Sequence, residues 1–396
     1  MEIEKEDSSQ NDCTPKVLFT IIFFLLLIIA SVIFIILVAI YKGNYFNSYY
    51  LSDVIEEIEQ GTNRTLRYRK VDVYKEHYIC ELNDDVKRAH VRYYNRYGIK
   101  LAADLYTPKK LDKSKKYKGI VIGPPYGGVK EQGPSVYGNG LASRGYVVLA
   151  FDPSFNGESG GSPRKVSSSD IFMEDFSAGV DYLGTLKYVD REKIGAIGIC
   201  GSGGFLIGAA AIDIRIKAVV TISLYDIPHL TADINIENWI ESVKQLKKER
   251  WNDVDNGRPE YPIYYEPDRE YEDGHYPSTP NEEYDKIWRV FYSTKRGHHP
   301  RSTGGFTYTS LFSIQNLLVT ENIEKISPRP ISFIYGEKAE NSKQFSIETY
   351  HNAEEPKDLV IIKNATHIDL YDNVEFIPFD YLDDFFEDNL NKDFYN

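Results

Sequence analysis

The sequence predicts an α/β fold on a mostly parallel sheet covered by helices on both faces, and three observations predict it. Short continuous apolar runs alternate with helix-like segments through most of the 396-residue chain. A hairpin pattern, Val86–Tyr94 and Lys100–Tyr106 around Asn95-Arg96-Tyr97-Gly98, leads into them. One apolar run, Ile194–Ile199, breaks into the turn Cys200-Gly201-Ser202-Gly203-Gly204 and passes at once into a helical segment.

The candidate strands after the hairpin are Gly119–Ile122, Tyr146–Phe151, Ile194–Ile199, Ala218–Ile222, Pro330–Tyr335 and Leu359–Ile362. The candidate helices include Ile171–Leu186, Gly203–Ile212, Gln344–Asn352 and Tyr381–Asn389. An antiparallel hairpin feeding such a sheet suggests the α/β-hydrolase architecture. The stretch from about 227 to 327 breaks the rhythm. It is rich in Tyr, Glu, Pro, Trp and Lys, with a helical piece near Glu237–Trp251. A structureless insert of that length is improbable in a compact domain, so it reads as a cap over the catalytic edge that sets substrate choice.

Composition narrows the function. With 42% hydrophobic and 27% charged residues, most of the chain reads as an ordinary folded domain. A net charge of −13 argues against nucleic acid, whose phosphates need concentrated Lys and Arg. The 3 cysteines, Cys13, Cys80 and Cys200, are too few and scattered for a disulfide framework or a zinc site. No metal and no organic cofactor is implied.

The N-terminal region stands apart. Residues 1–16 are a polar tail, and 17–40 are apolar except for Thr20 and Ser31. At about 1.5 Å per residue such a helix spans the roughly 30 Å hydrocarbon core. The acidic flank MEIEKEDSSQND disfavours a signal peptide. A single-pass membrane anchor is therefore expected, with 41–70 as a stalk and 71–396 as the catalytic domain. Lys5 and Lys16 before the span against Lys42 after it favour a cytosolic N terminus and a lumenal or extracellular domain. Asn63-Arg64-Thr65 in the stalk would then be a glycosylation acceptor. A free catalytic thiol argues the other way, since it survives more easily in the cytosol.

The turn at Cys200 carries the chemistry. Strand, sharp small-residue turn and helix make a nucleophile elbow, which needs small residues two before and two after the nucleophile. Gly198 and Ser202 meet that need, with cysteine where serine is usual. The following helix points its positive end at the sulfur and favours thiolate. Of 8 histidines, only His367 follows the last strand, the slot of the general base. The orienting acid has two candidates. Ala339 stands in the expected slot after the seventh strand with Glu340 one step late, whereas Asp226 lies at the tip of the sixth strand. Asp226 is preferred, with Glu340 second.

Two backbone donors must hold the oxyanion. Gly201 supplies one, and Tyr126 or Gly127 in Gly123-Pro124-Pro125-Tyr126-Gly127-Gly128 the other, because proline lacks an N–H. That loop lacks the Lys-Ser/Thr of a P-loop. His298-His299 reads as a cap loop rather than half a metal site, and Asp152 reads as structural.

The runs GPPYGGVKEQ (Gly123–Gln132), FDPSFNGESGG (Phe151–Gly161) and GICGSGG (Gly198–Gly204) resemble the dienelactone-hydrolase-like branch of the α/β hydrolases. SLYDI (Ser223–Ile227), RGHHPRST (Arg296–Thr303), SPRPISFIYGEKAE (Ser327–Glu340) and THIDLYD (Thr366–Asp372) extend the resemblance, which includes the fungal polyketide transferases. It implies Cys200 as nucleophile and His367 as base, supports Asp226, and sets Glu131 near the thiol or else at the start of a helix. The expected activity is cleavage of an ester, lactone or thioester in a small-molecule acyl substrate. Acyl transfer is the alternative within enzymes, and an inactive binding or adhesion module the alternative outside them.

Overall fold

The computed structural model describes residues 77–228, 236–261, 291–292, 294, 296–302, 305–315 and 317–395. The chain divides into two units, Met1–Val71 and Asp72–Asn396, and all described residues belong to the second. The expected tail, span and stalk lie outside the described residues, as does much of the cap. Among the described residues no helix is long and apolar enough to cross a membrane.

Eight strands form one sheet: β1 (Val86–Tyr94), β2 (Lys100–Pro108), β3 (Tyr117–Gly123), β4 (Val147–Phe151), β5 (Val189–Ile199), β6 (Ile216–Ile222), β7 (Ile331–Gly336) and β8 (Lys357–Ile362). Their order is β1-β2-β4-β3-β5-β6-β7-β8. The β1–β2 hairpin closes at Tyr94↔Lys100, and β2 pairs antiparallel with β4. From β3 to β8 every pairing is parallel.

Alternation within the strands sorts residues to two faces. Val121, Leu149, Ala196, Val219 and Phe333 enter one apolar cluster. Helices α2 (Ser169–Thr185) and α3 (Gly201–Ile212) cover it with Phe172, Phe176, Phe205 and Leu206, and α6 (Asn341–Asn352) adds Phe345. Ile122, Ala150, Ile197, Val220 and Ile334 face the other cluster, filled by Tyr137 and Leu141 of α1 (Gly133–Ala142) and Leu382 and Phe386 of α8 (Phe379–Asn389). Burial on both faces is why the strands read as continuous apolar runs.

The helix α1 is absent from the sequence reading, because its glycines and proline depress helix propensity. The structure gives those residues positions. Proline sits in its first turn, where a missing N–H costs nothing. A Cβ on Gly138 would come within 2.7 Å of the Tyr106 ring, and one on Gly140 within 2.3 Å of Phe379. Between β6 and β7 lie α4 (Ile236–Asn256), the 3-10 turn Tyr308–Ser310, the single turn α5 (Leu311–Ile314) and the 3-10 turn Ile323–Ile326.

Candidate active site

Cys200 stands between β5 and α3 with φ 55° and ψ −122°. A non-glycine residue held there is strained by about 1–3 kcal/mol and persists only where its surroundings fix it. They do so here. Its N–H donates to the Ile222 carbonyl at 2.8 Å, and its carbonyl accepts from Gly203 at 2.9 Å and Tyr225 at 3.1 Å. The glycine two residues earlier is obligatory, since a Cβ on Gly198 would lie 2.4 Å from the Ser202 carbonyl. The sulfur is half-buried at the N-terminal end of α3. At the opposite end, buried Arg329 donates to the carbonyl of Ala210 in the last turn of α3 and to those of Asp213 and Ile216 beyond it.

The loop after β3 lies against this elbow. A Cβ on Gly201 would come within 2.8 Å of the Tyr126 Cβ, so the chosen oxyanion donors Tyr126 and Gly201 are neighbours across the turn. The Ser202 hydroxyl donates to the Pro124 carbonyl, tying the loop to α3 and committing the serine nearest the thiol to a structural bond. On the far side Ser302 donates to the Gly127 carbonyl at 2.9 Å. Gly127 takes φ +79°, a left-handed conformation that glycine adopts without steric cost.

His367 is buried beyond the end of β8, its ring meeting Tyr225 and Tyr371 edge-on at 5.0 Å and 5.3 Å between centroids. Its carbonyl accepts from Ser223 Oγ at 3.1 Å. Burial alone pushes its pKa down to about 3, so the ring is neutral at physiological pH. Nε2 bonds the Tyr371 hydroxyl at 2.8 Å, and Cys200 packs against the cluster that holds Tyr371, near enough for its charge to act on the phenol. Burial, then the nearby Cys200 charge, hold the Tyr371 phenol well above its ordinary value.

The structure thus brings Cys200, His367, Tyr126 and Gly201 to one edge and adds a residue the sequence reading missed. Tyr371 sits four residues after His367 at the end of the short turn α7 (Asp369–Asp372). Four residues on a helical turn returns to the same face, and that spacing was the available signal. A guanidinium holds the segment from the cap side. Arg296 Nε and Nη2 grip the Asp372 carboxylate at 2.7 Å each, and Nη2 also reaches Asp369 at 2.9 Å. Asp369 in turn accepts from the Thr366 N–H at 2.9 Å and its hydroxyl at 2.6 Å.

Neither candidate acid is hydrogen-bonded to His367 among the described contacts. Buried Asp226 accepts from Thr320 Oγ1, and among the described residues Nδ1 of His367 has no hydrogen-bond partner. Glu340, the second choice, is exposed at the start of α6. Neither carboxylate completes a Cys-His-Asp or Cys-His-Glu triad in this arrangement. A residue's slot in the chain order fixes its neighbourhood but not its rotamer, and Thr320, far along the chain, engages Asp226 instead.

Glu131, buried, has cationic partners. It belongs to a buried ion cluster behind the oxyanion loop. Lys130 Nζ lies 3.2 Å from Asp152 and 3.0 Å from Glu158 and contacts Glu131, while Arg301 reaches Glu131 at 2.9 Å. Burial alone would lower the Lys130 pKa, yet the Asp152, Glu131 and Glu158 charges hold it well above the lysine range. Asp152 feels burial most, but Lys130 and two backbone donors keep it below the usual carboxylate value. Its carboxylate accepts the Lys130 and Glu158 N–H groups at 2.8 Å each, which makes it structural as expected. Glu131, Asp152 and Glu158 converge closely enough to hold a cation, and the Lys130 ammonium takes that position. His299 and His298 turn to separate partners: His299 Nε2 is 3.8 Å from Glu131, and His298 Nδ1 is 3.3 Å from the Tyr292 carbonyl.

Comparison with known proteins agrees with this architecture. The dienelactone hydrolase family pattern matches residues 101–240. The Pseudomonas aeruginosa protein PA2218 is 43% identical over 317 residues, 78% of this chain and 82% of its own length. Its crystal structure superposes with a TM-score of 0.73 over 79% of this chain and 96% of that one. Escherichia coli YcjY is 36% identical over 306 residues, 75% of this chain and 96% of its own. A shorter match, 27% over 168 residues, joins 42% of this chain to 50% of the Aspergillus aculeatus thiohydrolase aneE. From the central elbow strand to relatives matched over most of their length, the chain belongs to the dienelactone hydrolase family and is a hydrolase of α/β-hydrolase fold.

Proposed function

We propose that the chain cleaves an ester, lactone or thioester of a small acyl substrate through Cys200 and His367. One observation carries this reading: a cysteine held at positive φ on a strand-to-helix turn, packed beside the tyrosine whose hydroxyl bonds a buried histidine. The Cys200 thiolate attacks the carbonyl carbon, and the oxyanion forms against the N–H groups of Gly201 and of Tyr126 or Gly127. The imidazolium of His367 returns a proton to the leaving oxygen or sulfur as the tetrahedral adduct collapses. Water then attacks the acyl-enzyme, with His367 taking its proton. Likeness to a thiohydrolase supports a thioester among the candidate bonds. The apolar run 17–40 would tether the enzyme to a membrane, and resistance of the full-length chain to carbonate extraction from expressing cells tests that part.

Treating the purified full-length chain with p-nitrophenyl acetate is expected to give a burst of nitrophenol. Intact-mass analysis after acid quench should place one acetyl group on Cys200, and Cys200→Ala should lose both the burst and the adduct. A burst that survives in Cys200→Ala overturns the assignment.

A further inference from the structure

We propose that Tyr371 is a catalytic proton relay, its hydroxyl carrying the thiol proton of Cys200 to Nε2 of His367. The inference rests on the reading of Cys200 as nucleophile and His367 as base, and deepens it. Tyr371 is 1% exposed, its hydroxyl is 2.8 Å from Nε2, and Cys200 packs against the same cluster, beside the phenol. A phenol has one proton to give and lone pairs to accept with, so it can bridge a donor and an acceptor. With Nε2 accepting from the phenol, the neutral imidazole carries its own proton on Nδ1.

In the step, the S–H bond of Cys200 breaks as its proton passes to the Tyr371 oxygen. The original Tyr371 proton passes to Nε2, forming an N–H bond, and the sulfur keeps the electron pair. The result is a thiolate, an imidazolium and an unchanged neutral tyrosine. No external acid, base or oxidant enters. The phenol does not need to ionise for long, which suits a group whose buried position disfavours the phenolate.

The scaffold holds the relay in place from three directions. The Phe291 ring meets Tyr371 edge-on at 5.3 Å. The Tyr137 hydroxyl donates to the Leu370 carbonyl at 2.6 Å. The Arg296 fork fixes Asp369 and Asp372 on either side of it in sequence. Such immobilisation matters because a proton crosses a hydrogen bond only within about 2.6–3.2 Å between heavy atoms.

The test compares Tyr371→Phe, which removes only the hydroxyl, with Cys200→Ala and His367→Ala in the full-length chain. General acid–base groups contribute about 10²–10⁴-fold, so the p-nitrophenyl acetate burst of Tyr371→Phe should slow by at least about 10²-fold. The pH profile of Cys200 alkylation by iodoacetamide should move to higher pH. A proton inventory on the wild-type burst in mixtures of light and heavy water should be curved, since two protons move together. A linear inventory, or a Tyr371→Phe enzyme with wild-type burst and alkylation profile beside inactive Cys200→Ala and His367→Ala, overturns the relay and leaves the two-residue mechanism standing. A burst retained in Cys200→Ala instead removes the reading beneath it. The wild-type inventory decides the matter even where Tyr371→Phe fails to fold.

Discussion

Two buried polar clusters lie on either side of the loop after β3, and they are built in opposite ways. Behind the loop, Lys130 and Arg301 meet Glu131, Asp152 and Glu158 in direct ion pairs. In front of it, the His367 ring meets Tyr225 and the Tyr371 hydroxyl, no ion pair reaches it among the described residues, and burial alone sets the imidazole. The first arrangement satisfies charge with charge and holds the loop rigid. The second keeps the buried imidazole neutral, with one nitrogen unpaired among the described residues and a charged form costly to bury. Rigidity and reactivity are thus divided between neighbouring clusters, with the oxyanion loop as their common wall.

Breaking the ion cluster is the strongest way to test that division. Lys130→Met leaves Asp152 without its ammonium partner and Glu131 and Glu158 with Arg301, and such a loss typically costs about 3–5 kcal/mol. Urea unfolding should show that loss. A drop below about 1 kcal/mol would mean the cluster carries little of the fold. A second contrast is in the response to acid. Burial takes both His299 and His367 to pKa about 3, with the Arg301 charge adding to the shift at His299. Below an unfolded pKa of about 6.5 the unfolded chain binds protons that the native state refuses, so stability falls as pH drops from there toward 3. Each histidine contributes a slope of about 1.4 kcal/mol per pH unit in that window. His299→Gln should flatten the measured dependence of unfolding free energy between pH 6 and 4 by about that amount, and an unchanged slope would show His299 protonated in the native state. The smallest effect is expected at the expected acid. Because Asp226 bonds Thr320 rather than His367, Asp226→Asn should lower kcat/KM by less than about tenfold. A loss matching that of His367→Ala would mean the carboxylate swings to Nδ1 during turnover.

The fold and the elbow that carries Cys200 were legible because local signals fix them. Apolar runs mark strands that are buried on both faces, and the glycine two before Cys200 is demanded by a contact within the same turn. His367 was legible by its place after the last strand. The orienting acid was not, since the choice between Asp226 and a histidine partner depends on Thr320, which lies 94 residues away. The ion cluster was equally invisible, for Arg301 meets Glu131 across 170 residues of chain. Tyr371 was hidden differently: within a chain holding 31 tyrosines, one more aromatic near the end of a short turn reads as packing.

The positive φ of Cys200 has a consequence for how such a site persists through mutation. Glycine would occupy that backbone conformation without strain, so Cys200→Gly removes the reacting sulfur while relieving the turn. A population sorted only for folded protein would drift toward the inert glycine, and one sorted for turnover would hold the strained cysteine. The residue is kept against the grain of stability, and the surplus that tolerates it comes from the rest of the chain.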